Sequence, residues 1–346
     1  MKIDSAKIEA LRELLAAPRR KIVLVAHTNP DGDAIGASTA WRDVLAAMGH
    51  EVTMIVPNKY PYFLDWMPDI REVVIFRFAP ERALEAIRGA DIVFCLDFNS
   101  LSRLEALSDA LAENTAARRV LIDHHLSPDG GFDLQFSYPQ SSSTCFLLYC
   151  IIEQLCGTEV ITRKMAEALY VGMMTDTGNF SFSFLTPALY RALAVLVEKG
   201  IDVAGIHNSV YNGYTEDRAR LFGYAIHRKM NIIQEGTAAY MSLTEAEMRR
   251  YRFQQGDSEG FVNYPLTIKR CGRQPLCPQI FRRRRTQECR RGQILCLDGR
   301  DDRSLYPFGR GVRLRGRPRY PPPSVVRCGI GFRGESASEP KNLKPL

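Results

Sequence analysis

KIVLVAH (21–27) runs straight into TNPDGDAIGAS (28–38), and the join between the two decides the fold. Residues Ile22 to Ala26 are an unbroken apolar run, rich in β-branched side chains and too short for a buried helix, which is the pattern of a strand covered on both faces. Pro30 and Gly32 then form a turn, and from Ala34 the apolar spacing becomes helical, with Asp31 or Asp33 placed to cap the first turn. A doubly buried strand passing through a tight turn into a helix is the first half of a βαβ crossover, the connection that parallel strands require. Similar runs recur at EVTMIV (51–56), EVVIF (72–76), ADIVFCLDF (90–98) and RVLIDHH (119–125), separated by helix-like stretches such as Ile35 to Met48 and Pro80 to Arg88. The chain therefore reads as α/β, with a doubly wound, mostly parallel sheet whose ligand crevice lies beyond the carboxyl ends of the strands.

Helical periodicity continues at Ser143 to Leu155, Arg163 to Met174 and Pro187 to Lys199, the last closed by Gly200 as a C-cap. Residues 201–228 read as a helical connector, after which MNIIQ (230–234) and TAAYMSL (237–243) form a hairpin turning at Glu235 and Gly236. At 346 residues the length suits two domains. The expected division is a first domain over 1–200, the connector over 201–228, the start of a smaller α/β domain over 229–269, and a tail over 270–346. In the tail, RRRR (282–285), Gly-Arg alternation (309–317) and PPP (321–323) show no sustained helical or strand patterning.

Charge follows the same boundary. The net +7 suggests a nucleic-acid binder, but from Arg270 onward there are 19 Lys and Arg against 6 Asp and Glu, leaving 27 against 33 before it. The basic character belongs to the tail. Cys95, Cys145, Cys150 and Cys156 lie in apolar contexts, as buried thiols of a reduced compartment do, while Cys271, Cys277, Cys289, Cys296 and Cys328 fall in the tail. Absent CxxC spacing and absent tail histidines argue against a zinc site there. No apolar run reaches the ~20 residues a membrane span needs, and Met1 to Arg20 lacks the features of a secretory signal. A cytoplasmic location is expected, without membrane association.

The chemistry concentrates at strand ends. His27, Asp31 and Asp33 fall within seven residues, where the turn can aim an imidazole and two carboxylates at one point. Alone, they read equally well as turn and cap residues. Asp97 ends the LDF strand, and Asp123, His124 and His125 end the LID strand, so three strand termini bring Asp or His to one crevice. Carboxylates gathered there repel one another unless cations neutralise them, and a metal centre is the natural resolution. Asp176, in GMMTDTGNF, has turn formers behind it and no metal signal of its own.

Taken together, HTNPDGDAIGAS, LDF, IDHH, SSST (141–144) and ALYVGMMTDTGNFSF resemble the four motifs of the DHH phosphoesterase superfamily in order and spacing. Through EGFVNYPLTIK (259–269) the chain is similar to the branch of bifunctional oligoribonucleases and phosphoadenosine-phosphate phosphatases. The resemblance implies one metal held by His27, Asp31 and Asp97 and a second by Asp33, Asp97, His124 and Asp176, with Asp97 bridging. It implies that Asp123 orients a histidine ligand, that His125 faces the substrate phosphate, and that Asp123 and His125 serve catalysis without holding metal. It further implies two Mn²⁺ ions, with Mg²⁺ or Co²⁺ as substitutes, a bridging hydroxide as nucleophile, short single-stranded RNA or a nucleotide as substrate, and it allows a homodimer. Ser141 to Thr144 then read as helix-start residues ahead of phosphate contacts.

The family's second domain, DHHA1, ends in a glycine-rich GGGH segment, whereas the one Gly-Gly pair here is Gly130-Gly131 and the last histidine is His227. Arg, Pro, Gly and Cys rise together after Arg270, as in a shifted reading frame of a GC-rich gene. The competing reading is an arginine-rich arm that binds nucleic acid by neutralising phosphates, although Phe281, Tyr306, Phe308, Tyr320 and Phe332 make no base-stacking pattern. Two further alternatives share the DHH core, a manganese inorganic pyrophosphatase and a linear dinucleotide phosphodiesterase. The GFVNYPLTIK segment argues against the pyrophosphatase.

Overall fold

The computed structural model describes residues 1–268 apart from 18, 183 and 234–237, together with the backbone of 292–298. Helix α1 (Ser5–Leu15) starts from an Asp4 cap and precedes β1 (Lys21–Ala26). The turn after β1 leads into α2 (Gly32–Ala47), capped by Asp31, whose carboxylate accepts the N–H groups of Asp33 and Ala34 at 3.1 and 3.2 Å. There follow β2 (Glu51–Val56), β3 (Val74–Ile75), α3 (Pro80–Arg88), β4 (Ile92–Leu96), α4 (Leu107–Glu113) and β5 (Arg118–Asp123). A sixth strand, β6 (Leu134–Ser137), was not legible, because LQFS is short and has neither continuous apolar character nor turn residues tight against both ends.

All six strands are parallel, in the order β3-β2-β1-β4-β5-β6. Side chains alternate between two covered faces, as the continuous apolar runs require. Ile22, Leu24, Phe94, Leu96, Val120 and Ile122 pack on one side with α1 and α2, and with α5 (Thr144–Cys156), α6 (Arg163–Asp176) and α7 (Pro187–Glu198). Val23, Val25, Val93, Cys95 and Leu121 pack on the other with α3 and α4. The strand order reverses between β1 and β4, so the loops that leave those two strands diverge and open a crevice at their carboxyl ends.

Residues 201–228 hold α8 (Val203–Tyr211) and α9 (Glu216–Tyr224), which runs into a π-helical turn at Ala225–Lys229. Strand β7 (Asn231–Ile233) pairs antiparallel with β8 (Ala238–Thr244), in the expected hairpin register; the expected turn at Glu235 and Gly236 lies outside the described residues. Helix α10 (Glu245–Arg250) and a 3-10 helix at Phe261–Thr267 follow. Leu221, Ala225, Met241, Leu243 and Phe261 make a separate small apolar cluster.

Residues 292–298 depart from the reading of a tail without strand pattern. They form β9 (Gly292–Asp298), antiparallel to β8 from Ala238↔Asp298 to Thr244↔Gly292. The physical reason is the second edge of β8, whose unpaired N–H and C=O groups gain a backbone partner from any extended segment. The readings made of RRRR (282–285), the Gly-Arg alternation, PPP and the remaining tail cysteines lie outside the described residues, as do both accounts of the tail's origin.

Candidate metal centre

Three strand ends and two helix ends converge on the crevice. His27 follows β1, Asp97 follows β4, Asp123 ends β5 with His124 and His125 directly after it, Asp33 lies in the first turn of α2, and Asp176 is the last residue of α6. The approach of α2 to α6 is set by small residues. A Cβ on Gly36 would lie 2.4 Å from the Ala168 carbonyl oxygen, and one on Gly172 would lie 2.2 Å from Cys145 Sγ and 2.8 Å from Asp33 Oδ1. Only bare backbone lets the helices close enough to bring Asp33 and Asp176 to the same histidine.

That histidine is His124. Its Nε2 lies 3.3 Å from Asp176 Oδ2, 3.6 Å from Asp97 Oδ1 and 3.9 Å from Asp33 Oδ2. His27 Nε2 reaches the other oxygen of Asp97 at 3.4 Å. Asp97 is 2 % exposed and has a left-handed backbone, φ 64°, which turns the chain at the strand end and directs its carboxylate between the two imidazoles. Thr144 Oγ1 donates to Asp97 Oδ1 at 2.9 Å. Asp33 is fully buried and accepts the N–H groups of Thr144 and Cys145 at 2.6 and 2.8 Å, which seats it on the N-terminus of α5, where the free N–H groups and the helix dipole favour an anion.

Each histidine is held in the tautomer a ligand needs. Nδ1 of His27 lies 2.8 Å from the Thr28 carbonyl oxygen and Nδ1 of His124 lies 3.2 Å from that of Ser141. Because a carbonyl only accepts, Nδ1 carries a proton in both, which makes Nε2, turned toward the carboxylates, the nitrogen that a cation would take in place of its proton. His125 is fixed by Asp123, which accepts its Nδ1–H at 2.6 Å and its backbone N–H at 3.0 Å. This corrects the implied role of Asp123: the ring it orients is the one expected to face substrate, and the Ser141 carbonyl holds His124.

Burial and mutual repulsion perturb the group. Burial, with repulsion from Asp97 and Asp176, pushes Asp33 well above the usual carboxylate range. Burial pushes Asp176 up to about 6, although His124 pulls it down. Burial acts on Asp97 in the same sense but is outweighed by the hydrogen bond from His27 and the charges of His125, His27 and His124, so Asp97 stays below that range. Burial disfavours the His124 imidazolium, yet Asp176, Asp97 and Asp33 lift it to about 9. The metal-free cluster thus retains protons to tolerate its own charge, which is the signature of a site whose charge balance is completed by cations.

The donors fit divalent cations. His27, Asp31 and Asp97 form one group of ligand atoms within 4.8 Å of one another, and Asp33, His124 and Asp176 form another. Adjacent ligands of an octahedral cation at ~2.1 Å lie roughly 3 Å apart, close to the separations around His124. Mixed imidazole and carboxylate donors suit Mn²⁺ and its neighbours. Asp97 also groups with His124 and His125, a third arrangement that the sequence did not suggest. Ser143 caps α5 by accepting the Phe146 N–H, and Ser141 Oγ donates to the Ser143 carbonyl, so these two serine hydroxyls serve the helix start. Two groups escaped sequence reasoning. Thr144 carries a site contact behind a helix-cap signature, and Arg103, whose Nη1 lies 3.4 Å from His125 Nε2, sits in LSRL, a segment with no motif.

The model of the DHH family, N-terminal domain, matches residues 21–173. An exopolyphosphatase-related protein from Bacteroides fragilis, known by its crystal structure, is 38 % identical, with 78 % of each chain covered and a TM-score of 0.73. The bifunctional oligoribonuclease and PAP phosphatase NrnA of Thermus thermophilus is 28 % identical over 198 residues, 57 % of this chain and 56 % of the relative. The Bacillus subtilis protein of the same name is 25 % identical over 193 residues, 55 % and 56 % of the two chains. The chain thus spans a little over half the length of these curated relatives.

Proposed function

From the premise that this chain belongs to the DHH phosphoesterase family, we propose that it hydrolyses phosphoester bonds in very short RNA oligonucleotides and the 3′-phosphate of phosphoadenosine phosphate, with two divalent cations, Mn²⁺ by preference. The observation that carries this reading is Asp97, whose two oxygens face His27 on one side and His124 on the other. His27, Asp31 and Asp97 would hold one cation, and Asp33, Asp97, His124 and Asp176 the other. Bound there, the cations polarise phosphoryl oxygens and lower the pKa of water toward neutrality.

The chain's own groups do the rest. Fixed Nδ1–H bonds on His27 and His124 keep both rings aimed without reorganisation at the moment of reaction. Asp123 holds His125, which is about one-third exposed, at the crevice mouth, where the ring would lie beside a substrate phosphoryl group. The serine hydroxyls of 141–143 are not offered as nucleophiles.

The test is release of phosphate or nucleotide by the purified chain with Mn²⁺, using phosphoadenosine phosphate, RNA dinucleotides and tetranucleotides, a linear dinucleotide and pyrophosphate. Turnover of the first two classes supports the proposal. Turnover of pyrophosphate alone replaces it with the pyrophosphatase reading, and no metal-dependent release from any substrate overturns it.

A further inference from the structure

Arg103 stands at the mouth of the crevice and is used by none of the roles above. It lies in a 3-10 helix, Leu101–Leu104, that follows the turn after β4 and starts from Ser100, whose hydroxyl accepts the Ser102 N–H. The segment is pinned from two directions. Leu104 is fully buried on the α3 and α4 side, and the Arg103 carbonyl accepts the Thr28 N–H at 2.9 Å, tying it to the loop that carries His27 and Asp31. The backbone of Arg103 is therefore tied directly to the metal-binding loop.

Its side chain is half-buried and lacks the partner such a cation usually has. Among the described residues no carboxylate lies within 4.0 Å of the guanidinium, although Asp97 and Asp123 are both in contact with the neighbouring His125. Among the described residues its one side-chain hydrogen bond is a long one, Nη1 to His125 Nε2 at 3.4 Å. Asp123 accepts the Nδ1–H of His125, so Nε2 presents a lone pair to Arg103, and Arg103 donates. A guanidinium has five N–H donors in a planar fork, and most of these are left for a ligand. The carboxylates nearby suit cations and the open donors of Arg103 suit an anion, the two complements that a phosphate ester bound beside metal would need.

We propose that Arg103 is the phosphate anchor of this site: its guanidinium donates to non-bridging oxygens of the substrate phosphoryl group while keeping one N–H on His125 Nε2 beside it. The Asp123–His125–Arg103 chain then links the end of β5 to the turn after β4 through the substrate. This rests on the phosphoesterase reading given above, and the ligand class it adds is a tetrahedral oxyanion gripped by Arg103 beside the metal carboxylates.

The experiment uses the full chain loaded with Mn²⁺ and inorganic phosphate as probe, titrated by calorimetry, beside hydrolysis of phosphoadenosine phosphate. Arg103→Gln is expected to keep the wild-type Mn²⁺ content and to weaken phosphate binding by ~10-fold or more, with KM rising in proportion. Arg103→Lys keeps charge but loses the fork, and is expected to fall between the two. Phosphate affinity and KM unchanged in Arg103→Gln overturn the anchor, as does a loss of Mn²⁺ shared by Arg103→Gln and Arg103→Lys, which would make Arg103 a support of the metal centre. A wild-type chain without turnover on any phosphoester overturns the functional reading instead, and the phosphate titration still decides Arg103 on its own.

Discussion

Asp97 is where the site's two halves meet, and replacing it tests the assignment most sharply at the residue scale. Asp97→Asn keeps size and removes charge, so both imidazoles lose the carboxylate they share and turnover is expected to fall by at least ~100-fold with Mn²⁺ lost. His125→Ala should instead keep both ions and lose turnover, because the His125 ring is tied to Asp123 rather than directed into either three-residue group expected to hold metal. Metal analysis of the two variants checks this; equal metal loss would move His125 into the coordination sphere, through the third grouping with Asp97 and His124. His124 adds a pH dependence. Its pKa is raised from 6.5 to about 9 in the metal-free fold, so the stability it contributes is fully present below 6.5 and lost as pH rises through 9. A cation must displace that proton, so Mn²⁺ affinity should climb through the same window as metal-free stability declines. Calorimetry across pH 6.5 to 9 checks the opposition, and a His124→Ala variant with the same slope would remove its cause.

At the scale of elements, the α2–α6 contact and the α10 cap each make a claim. Gly172→Ala would drive a methyl into Cys145 and Asp33, and overpacking of this kind costs about 1–3 kcal/mol. Lower thermal stability together with reduced Mn²⁺ content is expected; a fully metallated variant with an unchanged melting temperature would mean the helices part without disturbing Asp33. In the cap of α10, Glu247 accepts the Thr244 N–H at 2.7 Å and the Lys229 ammonium at 2.9 Å, along with the Tyr224 hydroxyl. Burial alone would raise its pKa, but these donors outweigh it and bring Glu247 from 4.5 to about 2. The sign is that of a depressed acid: its contribution is complete above 4.5 and lost as pH falls toward 2. Glu247→Gln should therefore destabilise the β7–β8 unit by ~1–2 kcal/mol at pH 7 and by progressively less toward pH 2. Denaturation followed at those two pH values checks it, and a pH-independent difference would assign the effect to shape rather than charge.

For the whole molecule, the parallel sheet was legible because strands buried on both faces write continuous apolar runs such as Ile22–Ala26 and Ile92–Leu96, and βαβ connection does the rest. The strand order was not, since nothing in β6 or in the two-residue β3 announces its neighbour. His27, Asp31, Asp33, Asp97 and His124 were legible as residues at strand ends and the turn after one, whereas Asp176 and the division into two groups came only with the family resemblance. Which histidine Asp123 holds depends on the turn after β5, and the service of Thr144 and Arg103 depends on contacts 47 and 22 residues away in sequence. Among the described residues no helix is long and apolar enough to cross a membrane. Metal is expected to matter globally, because a cation at 100 times its dissociation constant adds about 2.7 kcal/mol to the fold that holds it. Chelation should lower the melting temperature, and restoring Mn²⁺ should recover it; indifference to chelator would mean the cluster is content with protons. The central claim is that one carboxylate serves two cations, and the most direct measurement is the Mn²⁺ stoichiometry of the wild-type chain and of Asp97→Asn, read by calorimetric titration. The account predicts two ions per chain for the wild type and loss of tight binding at both positions in the variant. A single ion in the wild type, or one tight site surviving unchanged in Asp97→Asn, would contradict it.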